Sequence, residues 1–228
     1  MKQIPLPIGP DLEPSFETYV PGPNAMVLDQ LIALRGTGAP VYLWGPTGSG
    51  KTHLLHAWAR QARLGGEAVG GFSAGDPLPW TPDPSWSKLV LDDCHRLAPE
   101  EQQAAFALFI EAAELGIQVA AAGRLPPVDL PLREDLRTRL GWGLVLALDC
   151  PSETETRAVL RQEADRRGIL LSDEVMGYLL TRFERDLKHL MRLLGRLDHY
   201  ALGEGRPVTV PLLKRMLAEG DDAEGDTT

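Results

Sequence analysis

Apolar and polar positions follow one pattern up to about residue 150 and another beyond it. In the first part, short apolar runs alternate with amphipathic stretches. Pro40-Val41-Tyr42-Leu43-Trp44, Leu89-Val90-Leu91, Ile117–Ala122 and Trp142–Leu148 are too continuous for half-exposed strands and read as strands buried on both faces, with Glu67–Ser73 as a further strand. Between them the pattern predicts four helices. The first is capped by Asn24 and runs to Arg35 with Val27, Leu31 and Leu34 on one face; the second covers Lys51–Arg63. The third covers Pro99–Glu114, with Phe106, Phe109, Ile110 and Ala113 inward, and the fourth is a short segment at Asp135–Leu140. This alternation specifies an α/β domain over residues 14–149, a parallel five-stranded sheet covered by helices on both faces.

From Pro151 the pattern is purely helical. Ser152 and Glu155 make a capping box for a helix to Arg167, followed by Asp173–Phe183 (Met176, Leu179, Leu180 and Phe183 inward). A third helix, Arg185–Leu202, turns Leu187, Leu190, Met191, Leu194 and Leu197 inward, and a fourth spans Pro211–Gly220. Residues 150–219 therefore read as a small all-α domain. Residues 220–228 are acidic and small and are expected to be disordered, and the proline-rich residues 1–13 are expected to be extended and mobile. Residues 74–87 hold four prolines with Trp80 and Trp86; they read either as a surface excursion serving an interface or as a loop anchored by its tryptophans.

Chemistry enters at Gly45-Pro46-Thr47-Gly48-Ser49-Gly50-Lys51-Thr52, which fits the phosphate-binding pattern G-x-x-x-x-G-K-[ST] between a strand and a helix. Glycines let the backbone curl so that N–H groups face phosphate oxygens, and the helix N-terminus adds its positive end. Lys51 is expected between the outer phosphates and the Thr52 hydroxyl on Mg²⁺. Asp92 and Asp93 end the Leu89–Leu91 strand, where sheets of this class place ligands; Asp92 would hold the metal, and Asp93 would orient or deprotonate water. The expected cofactors are ADP or ATP with Mg²⁺.

With 23 basic against 32 acidic residues among 228, the formal charge is −9, which argues against tight sequence-blind binding to DNA. Two cysteines, Cys94 and Cys150, give no disulfide framework or zinc pattern. No signal-like N-terminus and no apolar run of about 20 residues is present, so a cytoplasmic protein without a membrane partner is expected.

The phosphate loop, the Leu-Val-Leu-Asp-Asp strand, the helical unit of some 70 residues and the run Arg137-Thr138-Arg139-Leu140-Gly141-Trp142-Gly143 resemble the AAA+ module of the bacterial initiator DnaA over residues 14–218. Gln3-Ile4-Pro5-Leu6-Pro7-Ile8 is similar to the peptide that docks bacterial proteins on the β sliding clamp of DNA polymerase. Together they resemble the Hda family, the regulatory inactivators of DnaA. The resemblance implies an arginine finger at Arg139 that stimulates ATP hydrolysis by a neighbouring DnaA. It also implies an adenine seat near Tyr19 and Val20 and a nucleotide-sensing cation at Lys188, with His53, directly after the loop, among the cofactor-binding residues. DnaA and the clamp are the implied partners; a homodimer is left open.

Two positions depart from the family pattern. Gly123 stands where a polar sensor ends the fourth strand, leaving Arg124 as the nearest substitute, and Lys188 replaces the usual arginine unless Arg185 takes its part. The first disfavours intrinsic hydrolysis unless Arg124 substitutes; the second weakens γ-phosphate sensing and suits a resident diphosphate better than a triphosphate. The alternatives are an autonomous AAA+ ATPase or helicase loader, and a scaffold that contacts the initiator without hydrolysis.

Overall fold

The apolar runs become five parallel strands, and the segments between them become the helices that cover the sheet. The structure is a computed structural model and describes residues 14–34, 38–183 and 187–224; the side chains of Lys188 and of residues 220–224 lie outside that description, as does the segment Gln3–Ile8. In chain order the first unit contains α1 (Ala25–Ala33), β1 (Val41–Trp44), α2 (Lys51–Leu64), β2 (Val69–Ser73), β3 (Lys88–Asp92), α3 (Pro99–Leu115), β4 (Gln118–Gly123), α4 (Glu134–Gly141) and β5 (Leu144–Ala147). The sheet order is β2-β3-β4-β1-β5, so β4 lies between the strand carrying the phosphate loop and the strand carrying the aspartates. Register then sets the site: Trp44 pairs with Gly123 and Leu91 with Ala121, which brings the C-terminal ends of β1, β4 and β3 side by side.

Burial accounts for the order. Central β4 is buried along its whole length, whereas edge strands β2 and β5 are only partly covered. Phe109, Leu108, Ala105 and Ala112 of α3 pack on one face with Leu89, Leu91 and Tyr42; Leu54, Leu55 and Trp58 of α2 pack on the other with Leu43, Ala120 and Ala122.

Several expectations shift. The inward stripe of α3 is Ala105, Leu108, Phe109 and Ala112; Phe106 and Ile110 are half-buried and Ala113 is exposed, because this helix is apolar on most sides and its small residues permit the closest approach. Asn24 stands at the N-cap position of α1 yet makes no capping bond, its amide being used elsewhere. The fifth strand starts at Leu144, not Trp142: Gly143 lies so close to Pro40 that a Cβ there would fall 1.8 Å from the Pro40 carbonyl oxygen, and Trp142 ends α4. Residues 74–87 are anchored by their tryptophans. Trp80 is 4% exposed and stacks on Phe72, Trp86 packs against Phe72, and Glu101 fixes the preceding turn by accepting the Gly75 N–H at 2.7 Å.

The chain divides into two compact units between Cys150 and Pro151. The second contains α5 (Glu153–Arg166), α6 (Asp173–Arg182), α7 (Leu187–Glu204) and α8 (Val210–Glu224) around Leu160, Leu179, Leu190, Leu194, Leu197 and Leu213. Ser152 and Glu155 form the capping box, each side chain accepting the other's N–H. Phe183 and Met191 are only half-buried, with Val175 and Leu193 taking core positions instead. α8 continues to Glu224, so the first residues of the acidic tail are helical and not disordered as expected. Among the described residues no helix is long and apolar enough to cross a membrane.

Candidate functional site

The loop after β1 needs glycine for two reasons. Gly48 and Gly50 have φ of 85° and 91°, where a Cβ is strained, and a Cβ on Gly45 would lie 2.1 Å from the Leu148 carbonyl oxygen. The resulting curl leaves the amides of Thr47, Gly48, Gly50, Lys51 and Thr52 without a protein acceptor among the described residues, while Ser49 N–H bonds to Pro46 O. Five donors at the N-terminus of a 14-residue helix form a concave anion seat. The Lys51 ammonium folds over this loop, donating to Gly45 O at 2.9 Å, Pro46 O at 2.7 Å and Ser49 Oγ at 3.2 Å. Burial lowers its pKa from the ordinary lysine value; the Asp92 carboxylate opposes that shift most strongly, and Arg124 adds to it.

Thr52 Oγ1 donates to Asp92 Oδ2 at 2.7 Å, so the oxygens expected to hold a divalent cation converge. The other Asp92 oxygen accepts the Asp93 N–H at 2.7 Å. Asp93 has φ 52°, a left-handed conformation uncommon for a residue other than glycine, and its carboxylate lies 3.6 Å from Arg96. His95 belongs here as well, and the sequence pattern did not single it out. Its pKa is lowered by burial, with Asp93 opposing and Arg124 and Lys51 adding to the shift, and its Nδ1 is buried without a partner.

Gly123 has a steric reason. A Cβ there would lie 2.1 Å from the Tyr42 hydroxyl, which is fully buried and donates to Leu125 O at 2.9 Å. Tyr42 thus occupies the space that any side chain at position 123 would need.

Tyr19 reaches the loop through its hydroxyl, which donates to Ser49 O at 3.3 Å and accepts from Asn24 Nδ2 at 3.1 Å. Asn24 also exchanges two bonds with the Asp149 backbone, at 3.0 and 2.9 Å, tying the segment before α1 to the end of the first unit. Val20, beside Tyr19, is half-buried. The His53 ring lies 5.6 Å from that of Tyr19, and its Nε2 is 2.9 Å from Ser15 O and 3.4 Å from Thr18 Oγ1, holding that same segment. Burial lowers the His53 pKa below its ordinary 6.5, with the Ser15 carbonyl opposing and His56 adding to the shift.

A depressed histidine stabilises the fold fully above its unfolded pKa, and that contribution is lost as pH falls below about 6.5 toward the folded value. The protection factors of residues 15–24, corrected for the intrinsic exchange rate at each pH, are therefore expected to fall between pH 7 and pH 5.5. A His53→Gln variant is expected to flatten that dependence, and pH-independent protection in the unsubstituted protein would contradict it.

Arg139 lies elsewhere. It lines a groove of about 390 Å³ with Trp142, with Gly38, Ala39 and Pro40 before β1 and with Gly116 and Ile117 before β4, at the N-terminal ends of the strands. The phosphate loop is at the opposite ends, a strand length away, about 13 Å at ~3.3 Å per residue. Among the described residues the Arg139 guanidinium makes no hydrogen bond or ion pair; it rests over the Trp142 ring at 5.3 Å. Lys188 stands in the first turn of α7, in the second unit.

A family model described as "Hda, lid domain" matches residues 153–217. Domain III of the Thermotoga maritima replication initiation protein DnaA superposes with a TM-score of 0.77 at 20% identity, over 94% of this chain and 98% of that one. The chain has the fold of DnaA domain III, and its second unit matches an Hda-type lid. AMPPCP-bound DnaA from Aquifex aeolicus is similar at a TM-score of 0.66 and 21% identity, over 92% of this chain and 70% of that one. A Thermotoga maritima RuvB mutant gives 0.66 at 17% identity, over 90% and 71%. Likeness at this identity concerns the fold. It agrees with the five-stranded parallel sheet.

Proposed function

We propose that this DnaA-like protein binds ADP or ATP with Mg²⁺ in its own phosphate loop and acts chiefly on another molecule's nucleotide, stimulating ATP hydrolysis by DnaA through Arg139. The observation that carries the reading is the separation of the two elements. Arg139 sits a strand length from its own loop, with no carboxylate partner among the described residues. A guanidinium that cannot reach its own phosphates is free to meet those of a neighbouring subunit, where a finger supplied in trans raises hydrolysis about 10³–10⁵-fold.

The nucleotide part rests on the loop's five amides without a protein acceptor, Lys51, and the Thr52–Asp92 pair. Among the described residues no group of three or more His, Cys, Asp or Glu side chains gathers into a cation cage, so Mg²⁺ would take its remaining ligands from phosphate and water. Asp92 would hold that cation and Asp93 would orient water. Tyr19 borders the loop, and the base would lie beside it and Val20. With Tyr42 filling the sensor volume at Gly123, water at the chain's own nucleotide has one positioning group fewer, which supports weak intrinsic turnover.

Tethering to the sliding clamp through Gln3–Ile8 rests on sequence alone. Deletion of residues 1–9 is expected to abolish binding to purified clamp measured by surface plasmon resonance while leaving the melting temperature unchanged. Undiminished clamp binding would remove the tether. The stimulation itself is tested by phosphate release from DnaA carrying labelled ATP, with and without this protein and DNA-loaded clamp.

A further inference from the structure

Trp142 is 69% exposed, so the fold gains little from it, yet its backbone is held from both sides. Its N–H bonds to Arg139 O at 3.3 Å, closing α4, and the next residue must be glycine because Pro40 O occupies the Cβ position. Leu144 N–H then donates to that same Pro40 oxygen at 2.9 Å. The indole is thereby held one helical turn from Arg139, on the same side of α4, with the guanidinium over its ring at 5.3 Å. Arg139 has no ion pair among the described residues that would fix it in place of the ring.

We infer that Trp142 is the positioning residue for Arg139: its ring holds the guanidinium extended and ready before a partner arrives, so that the partner's phosphates meet a preset cation. The inference rests on the finger reading of Arg139 given above. An aromatic face suits the task better than a carboxylate. A carboxylate would neutralise the charge and compete with phosphate, whereas the ring attracts the cation weakly and leaves its N–H edge open. Chain entropy points the same way, since an arginine already confined to one orientation loses less freedom on docking.

Two readouts test this. In the isolated protein, Arg139→Leu is expected to change tryptophan emission, and the change should vanish when Trp142→Phe is already present; an identical emission change in both backgrounds, or none in either, would overturn the contact. In DnaA hydrolysis assays with DNA-loaded clamp, Trp142→Leu is expected to lower the maximal stimulated rate about two- to five-fold, the range of an exposed cation–π contact, with the half-maximal concentration unchanged. Trp142→Phe should recover most of that rate, and both variants should keep the parent's melting temperature. An increased half-maximal concentration at an unchanged maximal rate would overturn the inference, because Trp142 would then be a docking contact. Equal loss in the Phe and Leu variants would overturn it too. Absence of stimulation by the unsubstituted protein would remove the finger reading and this role with it, a result separable from the emission test.

Discussion

Arg139→Ala is expected to reduce stimulated ATP hydrolysis by DnaA about 10³-fold or more, to the rate of DnaA alone. The substitution removes a guanidinium that makes no hydrogen bond or ion pair among the described residues, so the fold should be nearly indifferent to it. Its own nucleotide should bind with unchanged affinity, because Gly45–Thr52 lies at the other end of the strands. That pairing of outcomes separates a trans-acting finger from a residue that props up the protein's own site. A scaffold without catalytic influence would leave DnaA turnover unaffected by the change.

Lys51→Ala is expected to weaken nucleotide binding by at least about 30-fold, as loss of a charge-assisted contact to phosphate requires. The ammonium already donates to two loop carbonyls and the Ser49 hydroxyl, so its removal also frees the loop's curl, and the nucleotide must then order it. Equilibrium binding of a fluorescent ADP analogue measures the effect. Affinity within about twofold of the parent would contradict the assignment of this loop. Stimulation of DnaA by Lys51→Ala should fall less than by Arg139→Ala, since Arg139 lies at the other ends of the strands from that loop.

How much was legible in the sequence varies with the range of the forces involved. The curl of the Gly45–Thr52 loop was, because its requirements are local: glycines at 48 and 50, where φ is positive, and a lysine at the helix start stand within eight residues. The aspartates at the end of β3 were legible for the same reason, as a buried strand has few ways to end in two carboxylates. The first residues of β5 were not. Trp142 continues an apolar run, and only the tertiary approach of Pro40 to Gly143 takes it out of the strand. The stripe of α3 was misplaced because that helix is apolar on most sides, so periodicity cannot choose between Ala105–Ala112 and Phe106–Ala113. Asn24 carried a local signal, the helix cap, and was recruited instead by Tyr19 and the distant Asp149. Gly123 could be read as a missing sensor, but the reason, a buried Tyr42 hydroxyl in that volume, depends on strand register.

The most direct measurement is single-turnover phosphate release from DnaA carrying labelled ATP, mixed with clamp on DNA and either the unsubstituted protein or Arg139→Ala. The account predicts rapid release with the first and the unassisted rate with the second. Equal release in both, fast or slow, would contradict it.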